Sequence, residues 1–298
     1  MLAKLNARPT ATAFRHGSMG IVASAALLTA GCSSVPLKPA GTLQSYERLG
    51  PTQGKVSKSR TFVDAAALSA VRSASIEPTR FSPGAAARVL KVEDRVLVAN
   101  ALDRATCIAL SDKYVMAPAG QPADLVVRTV ITDVVPTSVG AAGVSTVVTL
   151  GSGALLPVSI PRLPLGLGGL AVEAEALDRG GTQRAAILWA RGANSITNNP
   201  RMSEVGDAYA LASSFAGHFS SLLITGKEPS LVSLSPPAAH RVRSFFGGKP
   251  KYAACDAFGR EPGVPGLLAG KFGAPPSWTD KSRPPSRTGD RQSSVVAR

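Results

Sequence analysis

The sequence feature that most constrains the fold is a long β-branched run, Asp124–Val135, lying between Pro122 and Pro136. Valine, isoleucine and threonine favour extended backbone, and proline cannot donate to a strand ladder, so the run predicts one uninterrupted strand. Its two alternating faces are almost equally apolar. Because a strand that is apolar on both faces must be covered on both, we expect it at the centre of a sheet.

A pair of strands is predicted later in the chain. Gly169–Asp178 alternates small apolar residues with Glu173 and Glu175, which is the period of a half-solvated strand. Arg179–Thr182 contains two adjacent glycines and predicts a turn, and Arg184–Arg191 predicts the returning arm of a hairpin. We expect the two glutamates on the solvated face, in a ladder of ion pairs with Arg184 or Arg191.

Two segments have the apolar periodicity of amphipathic helices. Ser82 is a hydroxyl cap placed ahead of Pro83, and apolar residues at helical spacing predict a first helix over about 88–111. Ser203 is the predicted N-cap of a second helix, which Gly226 ends.

The order of these elements defines the expected fold class. Two shorter strands, one ending at Pro78 and one over Lys113–Ala117, precede the central strand. The pattern predicts a single α+β domain, with a mostly antiparallel sheet backed by two helices. We expect this domain over residues 61–226, with a Gly-rich insertion over 137–170 whose composition supports neither a packed helix nor a clean strand throughout.

The amino terminus has the composition of an export signal. Residues 1–18 carry basic side chains and no acid, and the apolar run Gly20–Gly31 that follows is shorter than a bilayer span. The run ends at Leu28–Cys32, which resembles a bacterial lipobox. We therefore expect a signal peptide over residues 1–31 and lipidation of Cys32; an ordinary secretory signal with an incidental cysteine is the alternative.

The segments on either side of the domain are rich in Pro, Ser and Gly. Residues 32–60 are predicted to be a disordered tether, and residues 227–298 a tail that is disordered from about 273. The tail is basic, and it either touches a membrane or cell-wall polymer or serves only to keep the chain soluble.

The charge and composition of the chain limit the classes of binding partner that we expect. The chain has a net charge of +14 but only 5% aromatic residues, which argues against a surface that stacks nucleic-acid bases. We expect no nucleic-acid partner. Ser33 after Cys32 is not an acidic retention signal, so we expect an outer-membrane protein that faces the periplasm.

Two cysteines remain once Cys32 carries lipid. Cys107 lies in the first predicted helix, and Cys255 lies in an apolar patch of the tail. Exported chains commonly pair their cysteines, so a Cys107–Cys255 disulfide is one possibility. Two unpaired thiols are the other, because helix cysteines are often simply small apolar fillers.

No pattern in the sequence predicts catalysis, a cofactor site or a metal site. Gly166–Ala171 matches a dinucleotide fingerprint by letter, but it leads into a strand, whereas phosphate binding needs a helix N-terminus there. His218 and His240 have no partner at ligand spacing. Glu173 and Glu175 could form a catalytic carboxylate pair, but solvated ion pairs are the simpler interpretation.

Five segments behind the lipobox form a recognisable series: Tyr46–Leu49, Ile76–Pro78, Leu125–Asp133, Val172–Asp178 and Ala208–Ala212. Their order and spacing over about 43–225 resemble the bacterial lipoproteins grouped as domain of unknown function 3313. The resemblance implies an uncharacterised periplasmic lipoprotein domain with no assigned catalytic residue. The tail after 227 and the Gly-rich insertion depart from the family pattern.

The leading hypothesis is a non-enzymatic binding or accessory module of the cell envelope, held on the membrane by a lipid anchor and able to take an envelope protein as partner. The alternative is a subunit of a membrane-active or transport assembly, in which residues 137–170 enter lipid or pack between subunits. A hydrolase that uses Glu173 and Glu175 is the weakest hypothesis. The oligomeric state stays open.

Overall fold

The computed structural model describes residues 35–155, 165–194, 198–229 and 236–281. The strands within them are β1 Ser57–Val63, β2 Ser73–Ile76, β3 Arg80–Phe81, β4 Val115–Ala117, β5 Leu125–Val135, β6 Gly169–Asp178 and β7 Gln183–Gly192. They form one sheet in the order β1-β7-β6-β5-β2-β4, with β3 also paired to β5. The pairs β1–β7, β7–β6 and β6–β5 are antiparallel, whereas the pairs β5–β2, β5–β3 and β2–β4 are parallel.

The expectation of an α+β fold with a central β-branched strand is confirmed. β5 pairs with β6 on one side and with β2 and β3 on the other. β6 and β7 form the predicted hairpin, whose turn is closed by the Gly181 N–H donating to the Asp178 carbonyl at 2.9 Å.

The helices are α1 Ala65–Ser69, α2 Pro83–Arg88, α3 Val92–Leu110, α4 Val139–Leu155, α5 Gly206–Thr225, α6 Ala239–Phe245 and α7 Gly263–Lys271. Two 3-10 helices, Ala253–Phe258 and Pro276–Trp278, lie near the end of the described chain. α3 and α5 are the two long helices that the periodicity predicts, and they pack side by side across one face of the sheet.

The ends of these helices differ from the expectation in two places. Ser82 accepts from the Ala85 N–H, as predicted, but it caps the short α2, and α3 begins only at Val92. The prediction of Ser203 as N-cap of α5 is wrong, because the Ser203 carbonyl accepts from the Gly206 N–H and closes a turn before the helix. Gly226 ends α5 with φ of 72°, as expected.

The main core lies between the sheet and the pair α3 and α5. Alternate residues of β6 and β7 point into it, and their largest buried side chain, Trp189, contacts the Phe215 ring of α5 edge-on at 5.7 Å between centroids. Because successive strand residues point to opposite faces, the other residues of β6 and β7 form a second face, away from the helices.

That second face is covered by the amino-terminal part of the described chain, residues 35–56, here called the N-terminal strap. The prediction of a disordered tether over 32–60 is therefore wrong for residues 35–60. Leu43 and Leu49 are buried against Ala186 and Leu188 of β7. The strap is ordered because the sheet's second face is apolar and needs a cover.

The strap also overturns the prediction that β6 is half solvated. Every residue of β6 except Asp178 is buried, on both faces of the sheet. The apolar residues of β6 pack against the helix pair on one face of the sheet. The glutamates that alternate with them bind the polar backbone of the strap on the other face.

The Gly-rich insertion 137–170 contains a helix, so the expectation of neither helix nor strand is wrong over Val139–Leu155. Ser138 lies directly before α4, and its Oγ accepts from the Ala141 N–H at 3.4 Å. Ala142, Ser145 and Thr146 are buried. Small residues of weak helical propensity form this helix because its packing, rather than its propensity, stabilises it.

The tail predicted over 227–298 has fixed structure over residues 236–281, here called the C-terminal segment, so the disorder expected from about 273 is wrong for residues 273–281. The segment holds α6, α7 and both 3-10 helices, and it stays ordered beyond 273. Asp280, near its end, is 5% exposed. Two contacts to α3, described below, explain why the segment packs on the domain. Residues 282–298 lie outside the described part.

Candidate binding site

Glu173, the first of the two predicted site carboxylates, binds the strap. Its Oε2 accepts from the Ala40 N–H at 2.9 Å and from the Tyr46 hydroxyl at 2.9 Å. Its Oε1 accepts from the Thr42 N–H at 3.0 Å and from the Thr42 hydroxyl. Burial, followed by the neighbouring Glu173, raises the pKa of Tyr46. Glu173 is 0% exposed, so it organises backbone rather than facing solvent.

Glu175 has the same role at Gln44, two residues further along the strap. Its Oε2 accepts from the Gln44 N–H at 2.8 Å and from Gln183 Nε2 at 2.9 Å. The Gln44 side chain in turn accepts from the Gln183 N–H at 2.9 Å. The backbone N–H groups of the strap are not paired with a neighbouring strand here. The carboxylate oxygens of the two glutamates accept their hydrogen bonds instead.

The predicted ion-pair ladder between these glutamates and the hairpin arginines is wrong. Arg184 binds Asp64 at 2.9 Å and Asp178 at 2.7 Å. Arg191 donates to the Ser214 hydroxyl of α5 at 3.3 Å. The register of β6 and β7 places Arg191 opposite Leu170, so this arginine lies on the helix side of the sheet and away from the glutamates.

A polar cleft of about 430 Å³ opens beside the strap. Glu173 and Glu175 line it together with Glu77, which pairs with Arg128 at 3.2 Å. Since the oxygens of the two buried glutamates already accept several hydrogen bonds, the cleft offers no carboxylate pair arranged for proton transfer.

A second concave site lies on the opposite side of the molecule. It is an apolar groove of about 400 Å³ between α3 and α5, with α6 along one wall. The helices leave this space because their facing residues are small. The main lining residues are Ala105 and Ile108 of α3, Ala216 and Gly217 of α5, Phe245 of α6, and Phe246 directly after α6.

Two polar atoms in the wall of this groove have no hydrogen-bond partner among the described residues: Ser244 Oγ and Arg241 Nε. Ser244 is 2% exposed. The other end of the Arg241 guanidinium is bound, at 3.0 Å to the Ala109 carbonyl and at 2.9 Å to Asp112. Buried polar atoms are normally paired, so this unpaired set marks a place where a ligand's acceptor would be stabilised.

A buried charge cluster lies next to the groove and connects α3 to the C-terminal segment. Arg104, only 1% exposed, donates to Asp280 at 2.7 Å and to Glu261 at 3.1 Å, and Tyr209 donates to Asp280 at 2.7 Å. Burial alone would lower the pKa of Arg104, but the Glu261 carboxylate, followed by Tyr209 and Asp280, raises it above its usual value. The Arg104 charge therefore anchors the segment and stays paired.

The preceding residue of α3 is a second buried charge that the periodicity did not single out. Asp103 accepts from the Thr79 N–H at 2.9 Å and from the Thr79 hydroxyl at 2.5 Å. Burial outweighs these bonds and raises the pKa of Asp103 to about 7. The signal for both residues is an adjacent charged pair among the mostly apolar residues of the second half of α3.

The two remaining cysteines meet in the structure. Cys107 of α3 and Cys255 of the C-terminal segment form a disulfide, with Cα atoms 5.6 Å apart and both side chains buried. Of the two possibilities that the sequence left open, the structure contains the bond. Cys32 lies outside the described residues.

The other candidate residues have structural roles. His218 contacts Glu228 at 3.4 Å, and His240 contacts Asp112 at 3.1 Å. Gly169, within the fingerprint-like segment, starts β6 rather than a helix. In the described ranges no three His, Cys, Asp or Glu side chains come together as a metal site, and no helix has both the length and the apolar character needed to cross a bilayer.

The fold and its covered sheet define a small α+β domain with an amino-terminal strap. A comparison with protein families identifies the family to which this domain belongs. The model of the family "Protein of unknown function (DUF3313)" matches residues 38–219. The chain therefore belongs to this family, which confirms the resemblance seen in the sequence. The match begins within the strap and ends within α5, so it leaves out the C-terminal segment.

The solved structures that are similar to this chain include two forms of one protein. The PelC dodecamer from Paraburkholderia phytofirmans is 13% identical, with 56% of this chain and 96% of that chain covered and a TM-score of 0.34. A single-substitution variant of the same dodecamer is 17% identical, with 53% and 92% covered and a TM-score of 0.29. Comparison with curated proteins finds no match.

Proposed function

We propose that the protein is a non-enzymatic module of the cell envelope, anchored to the outer membrane by lipid on Cys32 and facing the periplasm. In this proposal it binds an amphiphilic ligand, an apolar chain with an oxygen acceptor at one end, in the groove between α3, α5 and α6. No nucleic acid and no cofactor take part.

The observation that carries the proposal is the combination of an apolar groove with unpaired polar atoms in its wall. Ligand sites commonly have this composition, apolar surface with a few polar groups that fix orientation. Arg241 Nε is a donor, and Ser244 Oγ both donates and accepts, so a carboxylate or ester oxygen would satisfy both.

The carboxylate pair supports a binding role over a catalytic one. Glu173 and Glu175 are committed to the strap by hydrogen bonds from its backbone. A general acid or base must be free to exchange a proton with substrate. The weakest hypothesis, a hydrolase built on these two residues, loses its main support for that reason.

Two features support the envelope location. The lipobox ends at Cys32, and the Cys107–Cys255 disulfide is typical of proteins exported from the reducing cytoplasm. We expect Cys32→Ala to leave the chain unacylated, and either uncleaved or released from membranes at high salt. Normal processing together with sedimentation at high salt would contradict the lipoprotein part of the proposal.

Gly217 offers a direct test of the groove. A Cβ at this helical position meets no atom within 4 Å. Since Gly217 lines the groove, Gly217→Leu adds a bulky side chain to the groove wall, and Gly217→Ala is the matched control. Both substitutions should keep or raise the melting temperature, because glycine weakens a helix. We expect Gly217→Leu alone to abolish binding of dansyl-undecanoate, a fluorescent carboxylate with an apolar chain.

The measurement is a fluorescence titration with full-length protein in detergent, in which the dansyl emission rises on binding. Ser244→Ala should weaken binding about tenfold, as expected for the loss of one hydrogen bond to a charged group. Equal binding by the Gly217→Leu and Gly217→Ala proteins would exclude the groove as the site.

The insertion provides the alternative function, a subunit of a membrane-active or transport assembly. The observation that favours it is α4, which has no charged residue and exposes Val144 and Val147. Cross-linking in intact envelopes separates the two proposals. Recovery of a ring-shaped homo-oligomer would favour the assembly, whereas a chain cross-linked to no protein would favour the free-standing module.

A further inference from the structure

We infer that the exposed face of α4 lies against the membrane surface, so that the domain sits on the bilayer in one fixed orientation. The inference rests on the proposed lipidation of Cys32. It adds to that proposal which surface faces the lipid, and it assigns a role to the Gly-rich insertion.

The first step is the length of chain between the lipid and the fold. From Cys32 to Val35 the extended backbone spans at most about 11 Å. Val35 is 2% exposed and packs against Ala171 and Ala190 on the strap side of the sheet. The lipid anchor therefore holds this part of the sheet next to the bilayer, with no long tether to let the domain tumble.

The second step is which end of the sheet Val35 occupies. Val35 lies directly on Gly169, where a Cβ would collide with it. Gly169 pairs with Val135 in β5 and with Gly192 in β7, so this is the end where β6 begins and β5 and β7 finish. α4 begins at Val139, within about 14 Å of extended chain from Val135.

The third step is the chemistry of the surface that this end presents. Val139, Val144 and Val147 are 43%, 57% and 72% exposed, and Val139–Leu155 contains no charged residue. Leu165, where the described chain resumes within the insertion, is 62% exposed. A helix that lies in a membrane interface buries such an apolar stripe among the acyl chains.

Two basic side chains lie near this end of the sheet. Lys38 of the strap and Arg88 of α2 keep about half of their side chains exposed, at 46% and 49%, while both pair with Asp133 near the end of β5. Lysine and arginine side chains at this level can reach lipid phosphates. The occupant that fits an apolar helix face, flanking cations and a short anchor is the lipid surface itself.

The test uses the lipidated full-length protein in vesicles of phosphatidylethanolamine and phosphatidylglycerol. Since Cys32 carries lipid and the other two cysteines are bonded, Val147→Cys provides a single free thiol for the environment-sensitive dye NBD. Val115→Cys is the matched control. Val115 is 53% exposed and pairs with Ser73 beyond the opposite end of β5.

We expect NBD at position 147 to shift to the blue and to lose at least half of its emission to lipids with a nitroxide near the headgroup. NBD at position 115 should stay unquenched. Equal behaviour at the two positions would overturn the inference. So would a blue shift at 147 that depends on protein density and is not quenched by lipid, because a second copy would then cover the face.

The inference and the proposed anchor fail in different ways. Without lipid on Cys32, the chain does not float with the vesicles at all. With the anchor but without contact by α4, the chain floats and the dye at position 147 stays unquenched. Thermal melts of both labelled proteins, which change only exposed valines, confirm that the fold is kept.

Discussion

At the scale of single residues, Asp103 and Arg104 connect α3 to two different parts of the chain. Consecutive helix residues point about 100° apart, so the two charges face different neighbours. Asp103 holds the backbone and hydroxyl of Thr79, near the start of β3, and Arg104 holds Asp280 of the C-terminal segment. Both residues are only 1% exposed, and hydrogen bonds within the protein take the place of hydration at each of them.

Asp103 predicts a pH dependence of stability. Its pKa in the folded protein is about 7, whereas the unfolded chain ionises this residue near pH 4. Between these values the folded state keeps a proton that the unfolded state releases. The contribution of Asp103 to stability is therefore complete below about pH 4, falls as the pH rises to about 7, and is constant above it.

The measurement compares urea unfolding of the native protein and the Asp103→Asn variant at pH 4.5, 6 and 8. Other titrating groups cancel in the difference between the two free energies of unfolding. From pH 4.5 to pH 8, the free energy of unfolding of the native protein should fall by about 3 kcal/mol relative to that of the Asp103→Asn variant. Parallel pH profiles would show that Asp103 is ionised in the folded state throughout.

At Glu173 and Glu175 residue type alone predicts the wrong environment. The alternation of charged and apolar residues in β6 correctly predicts a strand, but the solvated face that the charges predict is buried. What covers the glutamates is the backbone around Thr42, which lies far away in the sequence. Local periodicity carries no information about a cover contributed by such a distant segment.

At the scale of elements, the strap is held by side chains rather than by strand pairing over Ala40–Gln44. Glu173→Gln puts an amide NH2 where strap N–H groups now donate, so it should lower the free energy of unfolding by about 2–3 kcal/mol. Trypsin should then cut faster at Arg48 and Lys55. Glu77→Gln is the matched control, with an expected change below about 1 kcal/mol.

Urea unfolding and timed proteolysis give the two readouts of this comparison. Glu77 lines the same cleft but forms an exposed pair with Arg128, so its variant reports the loss of charge without the loss of strap contacts. Equal effects of the two substitutions would show that the strap does not depend on the buried carboxylate.

The elements that the sequence predicted well are those whose own pattern suffices. β5 is long and β-branched, the β6–β7 hairpin has a glycine turn, and α5 ends at a glycine. α4 and the C-terminal segment have no such local pattern, because glycine and other small residues interrupt the apolar positions of α4, and glycine and proline interrupt those of the segment. Contacts with distant parts of the chain order both. Thr146 of α4, for example, lies against Gly273.

At the scale of the whole molecule, the disulfide links α3 to the C-terminal segment across a sequence separation of 148. Closing a loop of this length should stabilise the fold by up to about 5 kcal/mol in the chain-entropy model. We expect reduction to lower the melting temperature and to expose the C-terminal segment to protease. A Cys107→Ala, Cys255→Ala double variant should match the reduced protein and ignore the reductant.

Intact-mass measurement after alkylation checks the bond itself. Denatured but unreduced soluble protein lacking residues 1–32 should gain no alkyl group, and two groups only after reduction. Two groups without reduction would mean that the thiols are free, and the packing of Cys255 against α3 would then rest on Ser111 and the surrounding apolar side chains.

The pairing of early residues with late ones has a consequence for biogenesis. Ala40 contacts Glu173, Cys107 bonds to Cys255, and Arg104 pairs with Asp280. Because the partners in each pair are far apart in the sequence, these native contacts have high contact order. Chains of this kind fold slowly, because distant segments must meet before much burial is gained. In the export proposed above, this delay would suit a machine that threads an unfolded chain, since the contact of Arg104 with Asp280 cannot form until Asp280 has emerged.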